Sequence, residues 1–162
     1  MKIALLDPFH TGSHRAWAEG VARHSGHEVR LFTLPGRHWK WRMHGAAATL
    51  AKEYLDSGFR AEVVLATDML ALDTFAALCR KVLTHTRLDL YFHENQLTYP
   101  WSPTDPDREL RRDNHYAFIN LSSALAADRV FFNSDYHRHS FLGALPGFLQ
   151  QFPSPSLLPL LP

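Results

Sequence analysis

The chain has 162 residues, 46% of them hydrophobic, with 17 Lys and Arg against 16 Asp and Glu and a formal net charge of +1. That suits one domain with an ordinary core, and the near balance of charge excludes recruitment of nucleic acid by overall electrostatics. The single cysteine, Cys79, excludes an internal disulfide framework and fits a reducing compartment, no apolar run is long enough to span a bilayer, and the opening MKIALLD breaks at Asp7 and Pro8 too early for a signal-peptide core. The expectation is a soluble, cytoplasmic domain with no membrane partner.

Short apolar runs alternate with helix-length segments. KIALLD (2–7) reads as an interior parallel strand, and Ser13 is placed to cap a helix from His14 to about His24. EVRLFTL (28–34) is a second strand closed by Pro35 and Gly36, after which a long polar-aromatic loop leads to an alanine-rich helix over 46–55. AEVVLAT (61–67) is a third strand, followed by a helix starting at Asp68 or Asp73 and running to Leu83. RLDLYFHEN (87–95) is a fourth, separated by a proline-containing loop from a helix over about 109–127. DRVFFNS (128–134) is the fifth, with Ser134 capping a last helix near 135–144. These strand–helix units predict an α/β fold: a doubly wound, mostly parallel, Rossmann-like sheet with helices on both faces, over residues 1–145. Residues 146–162 carry five of the ten prolines and no charge. That composition predicts no regular helix and fits a truncated end, a frameshifted end or a connector to a second domain.

In such sheets ligands sit beyond the carboxyl ends of the strands, which is where the polar clusters fall. The first loop carries Gly12, Ser13 and His14: glycine allows close approach and a helix N-terminus offers amides to an anion or sugar hydroxyl, or the segment is a capped turn. Neither G-x-G-x-x-G nor a P-loop is present. The second loop combines Arg37, His38, Trp39, Lys40, Trp41 and Arg42, either a stacking platform for bases or sugar rings beside cations, or a lip over the sheet. Residues 1–60 hold nine basic and five acidic groups, so the basic surplus lies on this side. In the third cluster, His93 can donate to a hydroxyl or pyrophosphate oxygen and Glu94 can orient it or act as a base; these are the catalytic candidates. Asn95 and Gln96 suit sugar hydroxyls, or else build an Asx-type turn. Asn133 and Ser134 mark a further anion-binding helix start, and Asn114, Tyr116, Asn120 and Ser123 share the preceding helix. Eleven histidines supply no convincing ligand triplet, so no metal site is expected.

The pieces DPFHTGSHRAWAEG, TLPGRHWKWRMHGAA, YFHENQLTYP and VFFNSDYHRHSFL occur in that order. Together they resemble the N-terminal half of the tRNA-queuosine alpha-mannosyltransferase family, over residues 1 to about 145. The resemblance implies a GT-B glycosyltransferase of two Rossmann-like domains, with the acceptor received by this half. The nucleotide-sugar would be held mainly by a C-terminal domain that nothing after residue 145 resembles. It implies transfer of mannose from GDP-mannose to the cyclopentenediol of queuosine in a tRNA anticodon, with retention of configuration and no metal cofactor. It also places His93 near the transferred sugar, with Gly12, Ser13 and His14 and then Asn133 and Ser134 around the reaction centre. This half alone is expected to bind donor weakly and not to turn over. Two alternatives stay open: a GT-B domain serving another acceptor, and a non-catalytic module that binds tRNA or phosphate.

Overall fold

A computed structural model describes residues 1–109 and 113–153. Five strands form one all-parallel sheet in the order β2-β1-β3-β4-β5. They are β1 (Lys2–His10), β2 (Glu28–Pro35), β3 (Val63–Thr67), β4 (Arg87–Phe92) and β5 (Arg129–Phe132). Strand order reverses between β1 and β3, the switch point at which doubly wound sheets open a crevice. The predicted α/β class is the observed one.

Alternation along the strands divides the side chains between two faces. Ala4 and Leu6 of β1, Ala66 of β3, and Leu90 and Phe92 of β4 enter the main core. That core is completed by α2 (Trp39–Asp56), α3 (Leu72–Cys79), α5 (Asp113–Ala126) and α6 (Asp135–Leu149), with a short α4 (Pro106–Glu109) before α5. Tyr54, Phe75, Phe92 and Phe141 are its largest fully buried side chains. Tyr54 is buried without cost to its hydroxyl, which accepts the Ala61 N–H at 3.3 Å. On the reverse face α1 (Gly12–His24) lies over the sheet, where Trp17 stacks on Tyr91 with ring centroids 4.2 Å apart.

Several boundaries differ from the expectation for identifiable reasons. The segment read as a long loop after β2 is helical from Trp39 onward. Its first turns are held from outside by tertiary contact, since Met43 and Tyr116 form a second small cluster against which Trp39 and Trp101 pack. His38 takes up the left-handed conformation at the start of this helix, φ 58°. Ser13 does not cap α1; Thr11 occupies the N-cap position, and Gly12, at φ +51°, begins the helix. The third helix starts at Leu72, so Asp68 is left free of it, and ends at Cys79.

At the other end α6 runs through Pro146 to Leu149, where the proline density predicted no regular helix. An interior proline costs about 3 kcal/mol. Leu145, Phe148 and Leu149 are all buried in the core, at roughly 1.5–3 kcal/mol for each such side chain, and this outweighs the loss. The remainder of the predicted tail, 154–162, lies outside the described residues.

The loops after β1 and β2 are locked together at one point. A Cβ on Gly36 would fall 2.2 Å from Cγ2 of Thr11, whereas nothing lies within 4 Å of a Cβ on Gly20 inside α1. Gly36→Ala should therefore destabilise the chain by about 1–3 kcal/mol, while Gly20→Ala should stabilise it by roughly 0.5–1 kcal/mol through helix propensity. Urea unfolding of the two variants beside the wild type measures both signs.

Candidate functional site

The carboxyl ends of β1, β3, β4 and β5 bring Asp7, Asp68, His93 and Asn133 to one edge. β1 continues past Asp7 to His10, and the Asp7 carboxylate, fully buried, is shared by two histidines. Nδ1 of His10 donates to Oδ2 at 2.7 Å, the Phe9 N–H donates to Oδ1 at 3.2 Å, and Nδ1 of His14 lies 3.5 Å from Oδ1. The last distance is long for a hydrogen bond and short enough for an ion pair. His14 is 6% exposed, and its ring sits 4.0 Å from that of His93. The other neighbours of His93 are Trp17 and Tyr91, at 5.0 and 4.8 Å between ring centroids.

Asp68 fixes the same corner from below. Its Oδ1 accepts the His93 N–H at 2.8 Å, and its backbone carbonyl accepts Nδ2 of Asn120 at 2.8 Å. Asn120 in turn accepts the Gln96 N–H through Oδ1, at 2.8 Å. Four buried polar atoms here have no hydrogen-bond partner among the described residues: Nδ1 of His14, Nε2 of His93, Oδ2 of Asp68 and Oγ1 of Thr67. Buried polar atoms are normally satisfied, so this concentration at a strand edge is what a ligand-binding corner shows.

The charges sort themselves accordingly. Burial raises the Asp68 carboxyl to about 7, against the opposing pull of His14 and the His93 N–H. Burial alone would depress His14, but Asp7, then Asp68 and Glu94, hold its pKa above the usual imidazole value. His93 is pushed down to about 4 by burial and by the His14 charge. Burial also raises Glu94, with His14 opposing. Of the two neighbouring imidazoles, tilted 34° to each other, His14 is therefore the more readily protonated, and His93 is neutral at physiological pH.

The sequence-selected residues divide by what their side chains do. His93, Glu94, Asn95, Asn133 and Ser134 line a cleft of about 420 Å³ at the ends of β4 and β5. Nδ2 of Asn133 donates to the His93 carbonyl at 2.6 Å, joining the two strand ends. Asn95 is absorbed into structure: Oδ1 accepts the Leu97 and Thr98 N–H groups in an Asx turn, and Nδ2 donates to Nε2 of His137 at 2.7 Å. Nδ1 of His137 donates to Oδ1 of Asn133 at 3.0 Å, so a neutral His137 bridges the two asparagines. Burial lowers its pKa accordingly. Gln96 is buried, with Nε2 3.5 Å from Oε1 of Glu94.

The basic-aromatic run splits by helical geometry. Trp39 turns inward, while Trp41 is 68% exposed and covers Gly45 one turn later. Lys40 pairs with Asp105 and Asp107, each at 2.6 Å, so its charge is internally matched. Arg37 is exposed and Arg42 half-buried. The two indoles therefore do not form one platform.

From the sequence, Asp7 and Asp68 are placed among the polar strand ends with no specific task, and His137 has no role. A buried Asp three residues before one histidine and seven before another is a usable signal once the strand is allowed to continue to His10. No signal of that kind points to His137. Among the described residues there is no group of three or more His, Cys, Asp or Glu able to hold a metal ion, and no helix long and apolar enough to cross a membrane.

Because Asp68 titrates near 7 when folded and near 3.8 when unfolded, the folded state binds the extra proton between those values. Its stabilising protonated form is fully present below about pH 4 and is lost as pH rises through about 7. Asp68→Asn keeps the Oδ1 acceptor and removes this loss. The melting temperature of the variant should accordingly gain on the wild type by on the order of 5 °C between about pH 4.5 and pH 7.5. A gap that stays constant with pH would show that Asp68 is ionised throughout.

Comparison with known proteins gives this corner its context. A family model described as tRNA-queuosine alpha-mannosyltransferase N-terminal matches residues 2–158. The tRNA-queuosine alpha-mannosyltransferase of Drosophila melanogaster is 34% identical over 158 residues, a match covering 93% of this chain and 38% of that protein. The chain thus spans well under half the length of that relative. Matched along nearly all of its length, with the histidine-bearing edge inside the matched region, the chain belongs to the N-terminal family of the tRNA-queuosine alpha-mannosyltransferases.

Proposed function

We propose that this chain is the acceptor-side half of a retaining glycosyltransferase that moves mannose from GDP-mannose to queuosine in tRNA. The observation that carries this reading is the pair of His14 and His93 rings, 4.0 Å apart at the polar strand ends, within a chain of this family. A second domain, in the part of the relative beyond the match, would hold the donor nucleotide and close the cleft over the sugar.

In this reading each group has a distinct task. Protonated His14, in the first turn of α1, adds its charge to the unpaired amides of the helix N-terminus. Together they favour the diphosphate as it leaves. Gly12 and Ser13 bring the backbone close at the same point. Neutral His93 keeps an unpaired Nε2 toward the sugar, and Glu94 orients the acceptor. Asn133 and Ser134 hold the far wall through the β5–α6 turn. Exposed Arg37 and Trp41, with Arg42, offer the tRNA backbone and bases a basic-aromatic surface. The leaving charge is met by imidazolium and amides, which makes the proposed transfer independent of metal. The proposed site of action is the cytoplasm.

The test joins this chain to the remaining portion of the Drosophila relative and follows labelled mannose into tRNA. Transfer should require queuosine at the acceptor position and should persist in a chelator. His93→Ala should lower kcat by about 10²–10³-fold with a smaller change in KM for tRNA. Equal transfer to tRNA lacking queuosine, or loss of activity on chelation that a divalent cation restores, would contradict the scheme.

A further inference from the structure

Beside the His93 cleft is a second cavity of about 430 Å³ with a different lining. Phe9, Trp39, Tyr99 and Trp101 supply four aromatic rings, and Glu94 and Gln96 supply polar groups. Met69, 2% exposed, is also in its wall. The volume lies within the roughly 300–1,000 Å³ usual for small-molecule sites. Three of these rings, Phe9, Trp39 and Trp101, pack on the small cluster around Met43 and Tyr116, apart from the main core, so packing the sheet does not by itself account for them.

The two indoles are held in place by the chain itself. Their centroids are 5.8 Å apart at 60°, and both contact Tyr116, at 5.0 and 5.9 Å. The Lys40 ammonium lies 5.6 Å from each of them while paired to Asp105 and Asp107. Tyr116 donates its hydroxyl to Asp107 at 3.1 Å, closing the frame. A rigid aromatic frame stacks a flat ligand without first paying for its own ordering.

Charge selects among flat ligands. Glu94 and Asp105 both face this cavity, and the nearby cation, Lys40, is already neutralised by two carboxylates. A diphosphate is disfavoured there, whereas a base carrying an amine is favoured. Glu94, Tyr99 and Pro100 also line the His93 cleft, so the two cavities meet at Glu94.

We infer that this aromatic chamber is the acceptor-base subsite: it takes the unstacked 7-deazaguanine of queuosine, with Glu94 facing the side-chain amine and the diol reaching past Glu94 to the His93 cleft. Taking a base out of the stack onto aromatic side chains is how modified single-stranded positions are commonly recognised. This inference rests on the acceptor reading above and adds the place of binding and the group that distinguishes queuosine from guanosine.

The test uses this chain with the free base queuine, with 7-deazaguanine, and with tRNA carrying either queuosine or guanosine at the same position. Indole N–H resonances of Trp39 and Trp101 should shift on adding queuine, and those of Trp17 and Trp41 should not. Queuine should bind at least about 10-fold more tightly than 7-deazaguanine, the scale of one charge-assisted contact. Glu94→Gln should abolish most of that preference, weakening queuine far more than 7-deazaguanine. Trp101→Leu, checked for folding by its melting curve, should weaken both bases about 10-fold or more.

If the wild type prefers queuosine tRNA but Glu94→Gln and Trp101→Leu keep that preference, the subsite is elsewhere and the acceptor reading survives. If it binds the two tRNAs equally, the acceptor reading fails and this inference with it. Shifts confined to Trp41, or no binding of either free base, would overturn the subsite.

Discussion

The Asp68 residue joins three elements at the end of β3. Its N–H donates to the Tyr91 carbonyl at 3.1 Å, its Oδ1 accepts the His93 N–H, and its carbonyl accepts from Asn120 of α5. Asn120 then carries the link to Gln96, and Ser123, one turn on, accepts the Leu72 N–H and donates to the Leu70 carbonyl. The segment after β4 is therefore hung from β3 and α5 rather than left as a free loop. This constraint allows the half-buried His93 to keep its Nε2 buried and unpaired, because the backbone on either side of it is already satisfied.

The same burial that fixes the geometry sets the chemistry. A carboxyl as deeply buried as Asp68 is costly to ionise, and the half-buried His93 is costly to protonate, first from loss of water and then from the His14 charge. Asp7 resolves the competition by placing a carboxylate under His14, whose charge then suppresses that of His93. Two imidazoles of equal intrinsic basicity thereby diverge, His14 easier to protonate than usual and His93 much harder. The arrangement resembles the separation of acid and base roles that environment imposes on paired groups in other active sites. Glu94 completes it as the seam between a polar cleft suited to sugar and an aromatic chamber suited to a base.

Much of this was legible from residue order. The five strands could be read because interior parallel strands are short, apolar and separated by helix-length segments, and their polar ends had to converge. His93, Glu94, Asn133 and Ser134 were found that way. The helix beginning at Trp39 was not, because its first turns are stabilised by Tyr116 and Trp101, far off in sequence. The roles of Asp7, Asp68 and His137 were missed for a related reason: a buried polar residue is recognised by its partners, and those partners come from other strands. Pro146 misled in the opposite direction, since a local rule about proline gave way to the burial of three apolar neighbours.

Protonation divides unequally between the neighbouring imidazoles of His14 and His93. An NMR titration of the imidazole Cε1–H signals, assigned with His14→Gln and His93→Gln, measures it directly. His14 should titrate above the usual imidazole value and His93 far below it, near pH 4. In the His14→Gln protein, the His93 midpoint should move upward as the neighbouring charge disappears. Titration of both rings at the ordinary value, or a protonated His93 beside a neutral His14, would contradict the account.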